Sequence, residues 1–360
     1  MKKFSRIILF STILMIICCK KKEQNPVNEQ DPVNLSEFIS AVDISRFPEI
    51  SEHNHLFYDL NGNENDFLNI LKDNGINTIR LRLWVNPNDE HSGFNEVKHF
   101  SQDLKNLGFK TWLSVHYSDT WADPGSQETP LIWQNIPFND LCDSVYNYTQ
   151  KIVVEMEPDY IQIGNEINSG FLHPYGNINN NFHQFKSLVD TAVCAVKSNL
   201  NDSEIILHYA GIIGSEWFFN LMSNVEYDII GLSYYPIWHG KSLLDLKNTM
   251  QTLGQTHNKE VVIAETAYPF ILSWNDYTNN IVGSDNHLIL PDYPASPAGQ
   301  RAFIKEIKSI MVDLSEGVGF CYWGAELIAW KGNQATDASP WENQALFDFQ
   351  NQALPVINEF

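Results

Sequence analysis

The chain has 360 residues, 43% of them hydrophobic and 19% charged, enough to bury a sizeable core as one large domain or two smaller ones. Its 23 basic and 44 acidic residues leave a net charge of −21. That balance repels nucleic-acid phosphates and anionic membranes and disfavours a polyanionic substrate such as polygalacturonate, so a neutral ligand fits better.

At the N-terminus, Lys2, Lys3 and Arg6 precede an apolar run, 7–17, broken only by Ser11 and Thr12. The run has signal-peptide length and is too short to span a bilayer as a stable helix. It ends at Cys18 and Cys19, and Ile16-Ile17-Cys18-Cys19 resembles the cleavage box of bacterial lipoproteins, with Cys19 the better-placed residue for lipidation. Residues 1–18 are therefore expected to be a lipoprotein signal peptide, and 19–37, rich in Asn, Gln, Glu and Pro, a polar tether. The expected location is the bacterial cell envelope, lipid-anchored in the outer membrane. Lys20 to Lys22 lack the acidic run of a surface-export signal, which leaves both the periplasmic and the outer face open.

From residue 38 to residue 360 no linker, low-complexity tract or charge block interrupts the chain, and one domain is expected. Short apolar runs at 38–44, 78–84, 110–117, 160–166, 205–210, 229–235, 260–266 and 318–324 read as strands. Helical patterns at 64–74, 94–107, 141–155, 181–200, 242–253 and 300–314 lie between them. The alternation predicts an α/β fold, a (β/α)8 TIM barrel. A doubly wound open sheet is the competitor. Against it, no glycine lies between Asp43 and Pro48, where a phosphate-binding loop would follow the first strand. Polar and aromatic residues instead collect after nearly every strand, at Arg82, Trp84, His116, Asp119, Trp121, Asn165, Glu166, His208, Tyr235, Glu265 and Trp323. A barrel brings those ends onto one face, where active sites sit.

Glu166 and Glu265 each close an apolar strand, the fourth and the seventh. Across a small barrel such positions bring two carboxyls to roughly 5 Å, the equipment of a retaining glycoside hydrolase. Asn165 suits a side chain that holds a sugar 2-hydroxyl. Arg80 and Arg82 share one face of the second strand, and Arg82, nearer the mouth, is expected to ion-pair with the nucleophilic carboxylate. Tyr235 shares a face with Ser233 and is expected to donate its hydroxyl to Glu265, with Tyr234 pointing into the helix layer. Trp323 is placed to stack on the sugar at the cleavage point, and His116 to hydrogen-bond a hydroxyl or a carboxylate. No metal or cofactor is expected: His53 and His55 lie in a polar loop, and the segment from Ser284 to His287 lacks the acidic density of a calcium loop. Cys142, Cys194 and Cys321 have no C-x-x-C spacing and read as small buried residues.

Seven stretches carry a family resemblance: Asp43-Ile44-Ser45, IRLRLWVNP at 79–87, HYSDTWADPG at 116–125, QIGNEINSG at 162–170, SYYP at 233–236, AETAYP at 264–269 and WENQALFD at 341–348. With these, residues 40–358 resemble the family-53 glycoside hydrolases, endo-β-1,4-galactanases of a large retaining clan built on (β/α)8 barrels. The resemblance implies Glu166 as acid/base and Glu265 as nucleophile. It places Arg82, His116, Asn165, Tyr235 and Trp323 around the reacting sugar, and Asp119 and Trp121 in the cleft. It implies cleavage of the neutral galactan side chains of pectic type I arabinogalactan. A β-mannanase or xylanase of the same clan, or a non-catalytic glycan-binding lipoprotein, are the rival readings. Some bacterial members carry a calcium loop rich in Asp and Gly after the seventh strand; 270–280 here lacks that density, so calcium is not expected.

Overall fold

The computed structural model describes residues 38–89 and 91–360, and in it eight parallel strands close into a barrel. The strands are β1 (Ile39–Asp43), β2 (Thr78–Leu83), β3 (Lys110–Val115), β4 (Tyr160–Ile163), β5 (Glu204–Ala210), β6 (Ile229–Ser233), β7 (Glu260–Thr266) and β8 (Gly317–Trp323). Each pairs with its neighbours in chain order, and β1 closes the ring, with Asp43 opposite Trp323 of β8 on one side and Arg80 of β2 on the other. The barrel, not the open sheet, is the fold. The expected signal peptide, tether and Cys19 lie outside the described residues.

Alternation along the strands builds two apolar layers. Ile39, Ala41, Trp112, Tyr160, Ile206, Ile229, Val262, Ala264 and Cys321 form a small inner cluster. Their strand neighbours Val42, Ile79, Leu113, Ile161, Leu207, Ile230, Ile263 and Phe320 face the helices in the main core. Farther along each inward face the apolar residues give way to Asp43, Arg80, Arg82, Ser114, His116, Gln162, His208 and Ser233, all buried. The strand that carries Glu265 departs from this alternation. Leu232 is opposite Ile263, but Ser233 is opposite Glu265, and the pairing of β8 with β7 slips at the same level. One extra residue in β7 turns Glu265 toward the barrel interior; strict alternation from Ala264 would aim it outward.

The helix Pro297–Asp313 illustrates how the outer layer forms. Ser296 accepts a hydrogen bond from the N–H of Gly299, and Pro297 supplies the fixed φ of a first helical residue. Phe303, Ile304, Ile307, Ile310 and Met311 then fall on one buried stripe. The helix expected from residue 64 begins at Phe67, because Glu64 and Asn65 pair with Tyr58 and Phe57 in a two-stranded hairpin. Among the described residues no helix is long and apolar enough to cross a membrane. Cys321 is buried, Cys142 half-buried and Cys194 exposed, so the last departs from the expected burial.

Candidate active site

The C-terminal ends of the strands surround a cleft of about 660 Å³. Glu166 enters it on a strained connection after β4: Gly164 has φ +73° and Glu166 φ +46°. A side chain at 164 would meet Ile167 Cγ2 at 2.4 Å, so the turn that delivers Glu166 requires glycine there. A left-handed glutamate is uncommon, and strain of this kind collects at functional sites.

Glu265 is 7% exposed and held at both oxygens. Arg80 Nη2 ion-pairs with Oε1 at 2.8 Å, and the Tyr235 hydroxyl donates to Oε2 at 3.1 Å. Arg80 is itself anchored by Asp43 Oδ2 at 2.7 Å and donates to Asn165 Oδ1 at 2.8 Å. Glu166 receives a hydrogen bond from the Ser233 hydroxyl at 2.5 Å. A side-chain oxygen of each glutamate and a ring nitrogen of His208 all lie within 4.8 Å of one another. That spacing matches carboxyls of retaining glycosidases, about 5–5.5 Å apart, and leaves no room for the intervening water of an inverting site.

The electrostatics separate the two carboxyls. Burial and the neighbouring Glu265 push Glu166 up to about 8, against smaller pulls from Ser233 and Arg80. Burial also pushes Glu265 above the usual carboxylate range, but Arg80 and the Tyr235 hydroxyl oppose it. Glu265, in the ion pair, is the member of the pair that gives up its proton first. The site thus divides into one carboxyl that keeps its proton up to about 8 and one that Arg80 favours in its ionised form, the division a general acid and a nucleophile require. His116 and His208 are both held neutral, chiefly by burial and by the nearby arginines.

A family model described as glycosyl hydrolase family 53 matches residues 39–360. The chain belongs to glycosyl hydrolase family 53. It is 31% identical over 343 residues to the arabinogalactan endo-beta-1,4-galactanase of Cellvibrio japonicus, covering 89% of this chain and 89% of that one. The family-53 catalytic domain of Ignisphaera aggregans superimposes with a TM-score of 0.84 and 38% identity, over 90% of this chain and 95% of that one. A structure described as one of two fungal beta-1,4-galactanases gives a TM-score of 0.78 and 27% identity, over 89% and 98%.

Around its two glutamates the family-53 site gathers most of the expected residues and reassigns two. Asn165, His116, Tyr235, Trp121 and Trp323 all line the cleft. Asn165 donates from Nδ2 to the Ala122 carbonyl at 2.9 Å, and His116 Nδ1 accepts from the Ala122 N–H at 3.2 Å. Tyr234 turns away from the cleft and donates to the Gly240 carbonyl. Arg82 lines the cleft but does not hold the nucleophile; Arg80 does. The Arg82 guanidinium lies between the rings of Trp84 and Trp121, 4.3 and 4.0 Å from their centroids, and donates to Ser92 Oγ. These cation–π contacts keep it toward the loops, while Arg80, one layer deeper, reaches Glu265. Asp119 is the second correction. It does not line the cleft: its two oxygens accept the backbone N–H groups of Asn86 and Leu131 at 2.9 and 2.8 Å and tie two loops together.

The cleft also holds Trp341, Trp238 and Glu326, which are not among the expected site residues. Trp341, from the chain after β8, packs edge-on against Trp323 with centroids 4.6 Å apart, and Trp238 tilts against Trp341 at 5.9 Å. Trp121 meets Trp323 at 6.1 Å, so four indoles run along one wall. Glu326 also lines the cleft, buried, with Oε1 accepting the Arg46 N–H at 2.9 Å and Oε2 without a partner.

The 270–280 stretch, too poor in acidic residues to predict calcium, nevertheless carries buried oxygens that would suit it. Asp276 Oδ2 and Asn280 Oδ1, after β7, and Glu342 Oε2 and Asn343 Oδ1, after β8, are buried without partners. The N–H of Asn275 joins the two segments through Glu342 Oε1 at 2.6 Å. An all-oxygen donor set with two carboxyls suits a hard cation, which would neutralise Asp276 and Glu342 and pin the two loops. It would have no part in bond cleavage.

Proposed function

We propose that this protein is a retaining endo-β-1,4-galactanase that cleaves β-1,4-galactosidic bonds in the galactan side chains of pectic type I arabinogalactan. The observation that carries the reading is the Glu166–Glu265 pair, with oxygens within 4.8 Å and unequal environments, in a chain whose family-53 relative is named an arabinogalactan galactanase. A neutral polysaccharide also suits a protein of net charge −21 whose cleft sets Asp43, Asp123, Glu166, Glu265 and Glu326 against Arg46, Arg80 and Arg82 and so offers no basic excess to a polyanion.

In this mechanism the Glu265 carboxylate attacks the anomeric carbon as the bond to the leaving oxygen breaks. Glu166 gives its proton to that oxygen, and the sugar is left as an ester on Glu265. The Glu166 carboxylate then takes a proton from water, the water oxygen attacks the same carbon, and the bond to Glu265 breaks, restoring both groups. Two inversions leave the β-configuration. Arg80 and Tyr235 hold the nucleophile in place before the reaction, so little reorganisation is needed. The second N–H of Asn165 Nδ2 serves the sugar 2-hydroxyl, a contact that strengthens in the transition state.

The test is a panel of linear β-1,4-galactan, mannan and xylan, with reducing ends and product sizes followed over time. Preferential release from galactan supports the assignment; preference for mannan or xylan moves it within the clan. Galactan binding without any cleavage makes the protein a glycan-binding module. Glu265→Ala should abolish hydrolysis and Glu166→Ala nearly so, and NMR should show the β-anomer first.

We also propose that Cys19 carries the lipid that holds the mature protein in the cell envelope, supported by the basic start, the apolar run and the polar tether that follows. A Cys19→Ala variant found still membrane-bound would sink this.

A further inference from the structure

We propose that His239 binds the departing sugar, donating a hydrogen bond from Nε2 to one of its hydroxyls while the ring of Trp238 forms the platform beneath. The inference rests on the glycosidase reading above. An in-line attack by Glu265 sends the leaving oxygen to the opposite side, where Glu166 must reach it. The sugar attached to that oxygen therefore lies along the wall that carries Glu166. That wall is built by β5 and β6: Ser233 bonds Glu166, and Asn168, two residues beyond it, exchanges two hydrogen bonds with the backbone of Ala210. Ala210, Trp238 and His239 line the cleft there.

The imidazole of His239 is fixed in position and in tautomer. Its backbone N–H donates to the Tyr235 carbonyl at 2.8 Å, and the Tyr235 N–H donates to His239 Nδ1 at 3.0 Å. A neutral ring whose Nδ1 accepts carries its one proton on Nε2. Among the described residues nothing bonds that Nε2–H. Gly211 lies beside the Cδ2–Nε2 edge, where a Cβ would come within 2.8 Å of His239 Cδ2 and 3.4 Å of Nε2, so only glycine leaves that edge uncrowded. Burial pushes the imidazole down to about 4, so it stays a neutral donor across the range in which the enzyme works. Trp238 is 53% exposed; it meets Tyr235 nearly at right angles at 5.4 Å and tilts against Trp341 at 5.9 Å, which leaves about half of the side chain open beside the fixed donor. A flat aromatic surface with an oriented polar group beside it is what a pyranose needs.

The experiment compares two substrates on each enzyme preparation. One is the β-glycan the wild type cuts, whose leaving group is a sugar. The other is the dinitrophenyl glycoside of a short oligosaccharide of the same sugar, whose leaving group has no hydroxyl. In His239→Ala the ratio of kcat/KM on the glycan to kcat/KM on the aryl glycoside should fall about tenfold, the scale of one lost hydrogen bond. His239→Gln, which returns an N–H near the Nε2 position, should recover most of that ratio. A ratio unchanged in His239→Ala, or one that His239→Gln does not raise, overturns the proposal. The ratio is independent of the folded fraction, so a destabilised variant still reports. Failure of the wild type on galactan, with cleavage of another β-glycan, would instead revise the substrate while leaving this comparison intact.

Discussion

The Ser233 hydroxyl sits 2.5 Å from Oε1 of Glu166 and 2.8 Å from Nε2 of His208. With His208 neutral and its proton on Nε2, a chain of hydrogen bonds runs from histidine to serine to glutamate. It occupies Oε1 of Glu166 and leaves Oε2 to carry the proton toward the glycosidic oxygen. Ser233 favours the ionised carboxylate and so pulls Glu166 down. In Ser233→Ala that pull is lost, the Glu166 pKa rises, and the alkaline limb of kcat/KM should move to higher pH. A roughly tenfold drop in kcat should accompany it as the acid loses its orientation. A full pH–rate profile checks both.

The wild-type profile should be a bell whose limbs belong to the carboxyl pair. The enzyme needs Glu166 protonated, so activity falls as pH rises through about 8. It needs Glu265 ionised, so activity also falls on the acid side, beginning above the usual carboxylate range. Glu166→Ala should remove the alkaline limb. The residual rate of that variant on a dinitrophenyl glycoside, whose departure needs no proton, should exceed its rate on galactan by about a hundredfold or more.

Arg80 and Arg82 should separate cleanly in kinetics. Arg80→Lys loses the fork that joins Asp43 to Glu265. Its kcat should fall about a hundredfold or more, and the acid limb should shift to higher pH because Glu265 is protonated more readily. Arg82→Ala removes a cation held between Trp84 and Trp121 and touches neither carboxyl of the pair. KM should rise while the acid limb stays where it was.

Glu326 should shape stability with pH. Burial, then the nearby Asp43, pushes its carboxyl up to about 8. Between the ordinary carboxylate range and 8 the folded protein keeps this proton and the unfolded chain has lost it. Stability from this group is therefore present at low pH and is lost as pH rises toward 8. Glu326→Gln removes the dependence. Relative to wild type it should gain on the order of 3 kcal/mol between pH 5 and pH 8. Urea unfolding at the two pH values measures it; Glu166, with a similar raised pKa, is common to both proteins and cancels.

Much of this was legible in the amino-acid order, and the parts that were not share a physical cause. Eight apolar runs spaced by helical patterns dictate a barrel, and polar groups at their ends mark its mouth. Alternation identifies the inward face of β2, but not how far each side chain climbs from it. Arg80 and Arg82 are equivalent by parity, and only the indoles of Trp84 and Trp121 decide that the shallower one turns outward. The extra residue in β7 is a property of strand pairing, invisible within AETAYP itself. Asp119 sits in a stretch of family-like sequence, yet its carboxylate serves two backbone amides. Trp341 heads the family-like stretch 341–348, but it lies in a long irregular segment with no period to say that its ring reaches the cleft. Glu342 lies next to it, and only the fold brings its carboxyl to the Asp276 loop.

The nucleophile's brace is assembled from distant parts of the chain: Asp43 from the first strand, Arg80 from the second, Tyr235 after the sixth and Glu265 from the seventh. A nascent chain that has joined only its leading strands gives Arg80 one acidic partner and nothing to activate. During refolding, recovery of hydrolysis should therefore trail the helical circular-dichroism signal, making turnover a reporter for the last stitch of the cylinder.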